Sequence, residues 1–139
     1  MKFSPILPKC PNAAVGWYFL FNKSRVFVIP YGVRSNTSLI KDEIIISSHT
    51  MLATASAIKF AGGIPVPVDI GEDNLISSES IEDAITPNTV GIMPTQLNGR
   101  ICKMDTISKI AKKNNLFIAE DSAQALGARY KGQHAGTFG

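Results

Sequence analysis

From residue 41 onward the apolar positions alternate between two periods. Glu43-Ile44-Ile45-Ile46-Ser47 is a run of β-branched residues that predicts a buried strand. Met51, Leu52, Ala55 and Ile58 then recur near the helical period, and Gly62-Gly63 supplies the stop. Ile64 to Val68 reads as extended again. Pro65 and Pro67 each remove a backbone donor, which predicts an edge strand or one that pairs poorly on one side. Ser77 or Ser78 caps a short helix with Ile81, Ala84 and Ile85 inward, and Pro87 follows its end. Thr89 to Met93 is the next strand. Asp105 is the expected cap of a helix that turns Ile107, Ile110 and Ala111 inward and closes at Asn114-Asn115, before a last strand from Leu116 to Ala119.

Strands and helices in alternation, with short connections, predict an α/β fold: a three-layer, mostly parallel sheet with helices on both faces. The first forty residues follow another pattern. Tyr18-Phe19-Leu20-Phe21 and Val26-Phe27-Val28-Ile29 are apolar without a clean period, and Pro30 interrupts them. Propensity favours strands there. The chain shows no internal repeat and no low-complexity linker.

Composition narrows the function without naming it. The 139 residues are 45% hydrophobic and 18% charged, ordinary for a globular protein able to bury a core. A net charge of +3, from 14 basic and 11 acidic residues, is too mild to imply nucleic acid. Lys109, Lys112 and Lys113 read as the solvated end of a helix, where cations favour the dipole. Cys10 and Cys102 make no metal or redox spacing, and reduced thiols in a cytoplasmic setting are the economical reading. The apolar stretch from Val15 to Phe21 is too short for a bilayer, and residues 43–70 are broken by His49, Lys59 and paired glycines. No membrane partner is expected.

The chemistry concentrates near the end of the chain. Leu116-Phe117-Ile118-Ala119 delivers Glu120-Asp121 to a turn of small residues, with Gln124 three positions on. In open α/β folds ligands bind at the carboxyl ends of the strands, so a carboxylate there suits a cationic ring nitrogen. The other reading is a strand that ends in a solvated acidic pair. Neighbours on a strand point to opposite faces, so only one of the two carboxylates can face such a ligand. His49 and His134 are given no role.

Several segments in series resemble the pyridoxal-phosphate-dependent sugar aminotransferases of the DegT/DnrJ/EryC1/StrS family. Asp42 to Ile46 followed by His49-Thr50-Met51-Leu52-Ala53-Thr54-Ala55 is similar to that family's "GDEVIVP…TFVATA" passage. Gly62-Gly63-Ile64-Pro65 and Pro65-Val66-Pro67-Val68-Asp69 match "GAxPVFVD". Thr95-Gln96-Leu97-Asn98-Gly99 stands where the family has a "PVHLYG"-like loop. Glu120 to Ala128, Tyr130-Lys131-Gly132 and Gly136-Thr137-Phe138-Gly139 complete the set. The resemblance covers roughly residues 39–139 in consistent order, which is far more specific than one short motif.

The resemblance implies part of a fold-type I aminotransferase large domain that binds pyridoxal 5′-phosphate. Its partners would be an amino donor, glutamate or glutamine, and a nucleotide-linked keto-deoxysugar, with a homodimer as the assembly. Asp121 occupies the position that keeps the pyridine nitrogen protonated, Gln124 the one that bonds the phenolic oxygen. Met51 stands where an aromatic residue usually stacks on the ring, and a thioether packs there without aromatic stacking. Thr50 would help to shape the pocket. The phosphate-binding turn falls at Asn22-Lys23-Ser24-Arg25, where Ser24 could bind phosphate but no glycine lets the backbone approach. That placement favours a helix after residue 25, against the strand propensity, and both remain open.

The family's Schiff-base lysine lies downstream of the passage matched by Gly136 to Gly139, and no lysine of this chain falls at that position. Residues 1–40, whose phosphate turn lacks a glycine and is followed by Val26 to Pro30, a poor helix, are expected to be a diverged N-terminal segment. Residues 41–139 are expected to be part of a cofactor-binding large domain, truncated before the lysine. Two functions follow: a portion of a sugar aminotransferase, or an inactive fragment or partner-dependent protein of the same family. A Rossmann-type nucleotide-binding module also fits the alternation, but no glycine-rich fingerprint follows the first strand.

Overall fold

The computed structural model describes the backbone of residues 13–22 and 25–34 and the whole of residues 42–139. The chain divides into two compact units, Met1–Ile40 and Lys41–Gly139. In the first, strands β1 (Ala13–Asn22) and β2 (Arg25–Arg34) pair antiparallel, from Ala13↔Arg34 to Asn22↔Arg25. Strand propensity thus prevails over a helix after residue 25. Pro30 sits within β2 opposite Trp17. In a two-stranded ribbon each strand has an unpaired side, so a missing N–H can be accommodated. Ser24 lies outside the described residues.

The second unit runs β3 (Glu43–Ser47), α1 (Leu52–Phe60), β4 (Ile64–Val68), α2 (Ser78–Asp83), β5 (Thr89–Met93), α3 (Met104–Lys113) and β6 (Phe117–Ile118). The four strands form one parallel sheet in the order β4-β3-β5-β6. From β3 the chain steps one way to β4, then back across to β5 and on to β6. Right-handed crossovers therefore put α1 on one face and α2 and α3 on the other. The α/β sandwich expected from the sequence is present, with β4 and its two prolines at the edge. A small hairpin, β7 (Arg129–Tyr130) and β8 (Gln133–His134), follows the sheet.

The main core lies on the α2/α3 face, where Ile45, Ile81, Ile92, Met104 and Ile107 meet almost wholly buried. Alternation along β3 turns Ile44 and Ile46 to the other face, under α1. Both long helices end in Schellman turns. Gly63 N donates to Ile58 O at 2.9 Å and Gly62 N to Lys59 O at 3.0 Å. After α3, Leu116 N donates to Ala111 O at 2.8 Å, and Asn115 takes the left-handed position with φ 55°. Ser77 caps α2 by accepting from Ser80 N at 3.2 Å.

Three expectations about the helices and strands need correction. Met51 and Leu52 do not face the core: they are 64% and 79% exposed. The buried residues of α1 are Thr54 and Ile58, one turn apart, and Leu52 lies about 200° round the helix from Thr54. Asp105 does not cap α3, because Lys103 holds the N-cap position. Asp105 sits in the first turn and accepts hydrogen bonds from Tyr130 Oη and from Lys131 Nζ, the latter at 2.8 Å. Those donors, Lys131 first, hold its carboxyl well below the usual carboxylate range. Finally, the regular part of β6 is only two residues long: Ala119 N still donates to Ile92 O at 3.0 Å, but Pro94 has no N–H to complete the next rung.

Candidate functional site at the carboxyl edge of the sheet

The chain reverses its direction across the sheet between β3 and β5, and their carboxyl ends flank the point where open α/β sheets bind ligands. Thr50 follows β3, Thr95 follows β5 and Asp121 follows β6. Beyond the strands the backbone stays paired: Asp121 N donates to Pro94 O at 3.0 Å, and Gln96 N to Asp121 O at 2.8 Å. This irregular ladder fixes where Asp121 emerges.

The side chains join across the same edge. Thr54 Oγ1 donates to Asp121 Oδ2 at 2.5 Å. Thr50 and Thr54 are 2.7 Å apart through their hydroxyls, and Thr95 Oγ1 donates to Thr50 Oγ1 at 2.9 Å. The fold thus brings together two predicted site residues, Asp121 and Thr50, through two threonines given no role from the sequence. Thr54 could have been noticed as the helical i+4 neighbour of Thr50. Thr95 had no local signal, since its partner is set by sheet order.

Glu120 faces the other way, as strand alternation requires. Its carboxylate accepts from Gln96 Nε2 at 2.8 Å, Gly136 N at 2.9 Å and Phe138 N at 2.6 Å. It therefore clasps the returning segment 136–139 to the sheet. Gln96 is wholly buried and also accepts from Cys102 N at 2.7 Å. The Cys102 thiol donates to Thr95 O, and burial pushes its pKa up to about 11. The sequence gives no sign of this buried glutamine with both ends of its amide engaged, because Glu120, which accepts from its Nε2, is 24 residues away.

The other predicted residues lie as follows. Gln124 is exposed, and its Oε1 accepts from Asn98 N at 3.3 Å in the turn Leu97–Gly99. Met51 is the extended N-cap residue of α1, turned to solvent. It is not a core residue. Ser24 is outside the described residues.

The donor set suits a protonated ring nitrogen. A carboxylate offers about four acceptor positions. Among the described residues Asp121 uses two, one for Thr54 and one for Ala123 N at 3.3 Å from Oδ1. The remainder is available to a cationic N–H, and the half-buried position strengthens such a pair.

Known proteins share the sequence pattern and the fold. The family model described as the DegT/DnrJ/EryC1/StrS aminotransferase family matches residues 34–139. GDP-perosamine synthase of Caulobacter vibrioides is 40% identical over 99 residues, which is 70% of this chain and 27% of that protein. Among solved structures, S. venezuelae DesV in complex with a ketimine intermediate superposes with a TM-score of 0.67 at 42% identity, covering 68% of this chain and 26% of that one. NtdA from Bacillus subtilis with bound cofactor PMP gives 0.64 at 35% identity, covering 71% and 23%. The chain thus spans about a quarter of the length of these relatives. Its parallel sheet and helices correspond to part of a fold-type I α/β domain, and pyridoxal phosphate dependence follows for the family. The chain belongs to the DegT/DnrJ/EryC1/StrS aminotransferase family.

Proposed function

We propose that this chain is the portion of a nucleotide-sugar aminotransferase that grips the cofactor ring. Asp121 would hold the pyridine N–H, Gln124 the phenolic oxygen, Met51 one face of the ring and Ser24 the phosphate, with Thr50 shaping the pocket. The amino group would pass from glutamate or glutamine to a nucleotide-linked keto-deoxysugar. When bound, the cofactor supplies an electron sink that stays effective only while its ring nitrogen is protonated. A carboxylate against that nitrogen favours the protonated form by direct charge pairing.

The observation that carries this reading is the position of Asp121 beside the switch point, held on Oδ2 and partly open on Oδ1. The homodimer belongs to the same proposal. It is supported by large apolar side chains left at the surface, Met51, Leu52 and Phe60 of α1 and its N-cap, and Leu126.

The test uses the polypeptide encoded by the whole reading frame. Pyridoxamine 5′-phosphate affinity is measured by fluorescence for the wild type, Asp121→Ala and Gln124→Ala. Amine formation on a nucleotide keto-sugar with glutamate is followed alongside. Both variants are expected to bind more weakly. Unchanged affinity and turnover in the two together would sink the assignment.

A further inference from the structure

We infer that Thr54 is a positioning residue for Asp121, the last member of a one-way chain of hydroxyls running from Thr95 through Thr50. The inference rests on the cofactor reading for its purpose, but not for its geometry. Each threonine hydroxyl has a single proton to give. Thr54 gives its proton to Asp121 Oδ2, so towards Thr50 it can only accept. Thr50 must then donate to Thr54, which leaves it able only to accept from Thr95, and Thr95 Oγ1 is its donor. One carboxylate thus sets the direction of three hydroxyls.

Burial keeps that order intact. Thr54 and Thr95 are 4% and 3% exposed, so water does not compete for their protons, whereas Thr50 between them and Asp121 at the end are half-buried. In a shielded site, aligned hydrogen bonds polarise one another in the same sense, here towards Asp121. The chain crosses three elements: the end of β5, the β3–α1 connection and the first turn of α1. It binds Oδ2 to the frame of the fold and leaves Oδ1 facing its unused acceptor capacity. A carboxylate free to rotate would lose that distinction between its two oxygens. Thr54 touches no proposed ligand; it acts through Asp121.

The test is first made on the isotope-labelled 139-residue chain without cofactor. Carbon–nitrogen and carbon–carbon three-bond couplings of Asp121 report its χ1 rotamer, and the Thr54 hydroxyl proton reports the bond itself. In the wild type a slowly exchanging Thr54 hydroxyl proton and a single Asp121 rotamer are expected. Thr54→Val should average the rotamer while the amide spectrum stays folded, Thr54→Ser should restore a single rotamer, and Thr95→Val should cause a smaller change. A fixed Asp121 rotamer in a folded Thr54→Val chain overturns the inference. So does a Thr54 hydroxyl proton that exchanges at the bulk rate in the wild type.

In the polypeptide from the whole reading frame, Thr54→Val is expected to weaken pyridoxamine 5′-phosphate roughly tenfold, as for loss of one charge-assisted hydrogen bond, with Thr54→Ser close to wild type. If the wild type itself fails to bind, the cofactor reading falls while the rotamer data still decide the role of Thr54.

Discussion

Glu120 and Asp121 are adjacent in sequence, yet their carboxylates serve opposite sides of the β6 extension. Glu120 accepts from Gln96, Gly136 and Phe138, whereas Asp121 accepts from Thr54 and Ala123. An acidic pair that looks uniform in the sequence is therefore divided between holding the chain together and facing the switch point. The two residues should fail in different ways.

Glu120→Gln replaces an acceptor-only group by one whose NH₂ must confront a backbone donor. The loss is expected to be about 2–4 kcal/mol of stability, since charge-assisted bonds are removed and either the buried Gln96 amide or the half-buried Phe138 N–H is left facing another donor. Denaturant unfolding measures the loss, and amide exchange should quicken at Gly136 and Phe138. Protection unchanged at both amides would contradict the clasp.

Asp121→Asn keeps an oxygen for Thr54 and should cost little stability. It removes the charge that a protonated ring nitrogen would pair with, so pyridoxamine 5′-phosphate affinity is expected to fall at least about tenfold. Parallel melting curves and binding isotherms separate the two effects. Wild-type affinity in a folded Asp121→Asn protein would count against the ring-nitrogen role.

Gly91 of β5 pairs with Phe117 of β6, and a Cβ added there would meet the Phe117 ring at 2.5 Å. Gly91→Ala should therefore push the ring aside and destabilise the unit by about 1–3 kcal/mol, as overpacking does. The double variant Gly91→Ala with Phe117→Leu should recover part of that loss. A stability unchanged by the single substitution would show that the strands can separate freely there.

The Cys102 thiol has its pKa raised from the ordinary 9.0 to about 11 by burial. The folded state thus holds this proton more tightly than the unfolded chain does. Its contribution is complete below about pH 9 and is lost as the pH rises towards 11, amounting to about 3 kcal/mol in all. Unfolding free energies measured from pH 8 to 11 should fall less steeply in Cys102→Ala than in the wild type. Identical slopes would mean that ionisation of this thiol is not linked to unfolding.

Much of the fold was legible because its signals are local. The β-branched run at 43–47, the strand at 89–93, the Ser77 cap and the asparagine stop at 114–115 each depend on residues a few positions apart. The facing of α1 was not legible. Its apolar residues at 51 and 52 suggested an inward side, but the neighbours β3 and β4 bury Thr54 and Ile58 instead. Asp105 resembled a cap for the same reason: its real partners, Tyr130 and Lys131, lie 25 and 26 residues away.

The site divides along the same line. Alternation along a strand is a local rule, so the separation of Glu120 from Asp121 could be read from their order alone. Series of matching segments likewise pointed to the family, and Asp121, Gln124, Met51, Thr50 and Ser24 as candidates came from that resemblance. Which groups Asp121 would meet was decided only when β3, β5 and β6 came side by side. Short-range order sets which elements form and which way a side chain points. Contacts among Thr95, Thr50, Thr54 and Asp121 depend on strand order and crossover hand, which arise when the whole sheet closes its core.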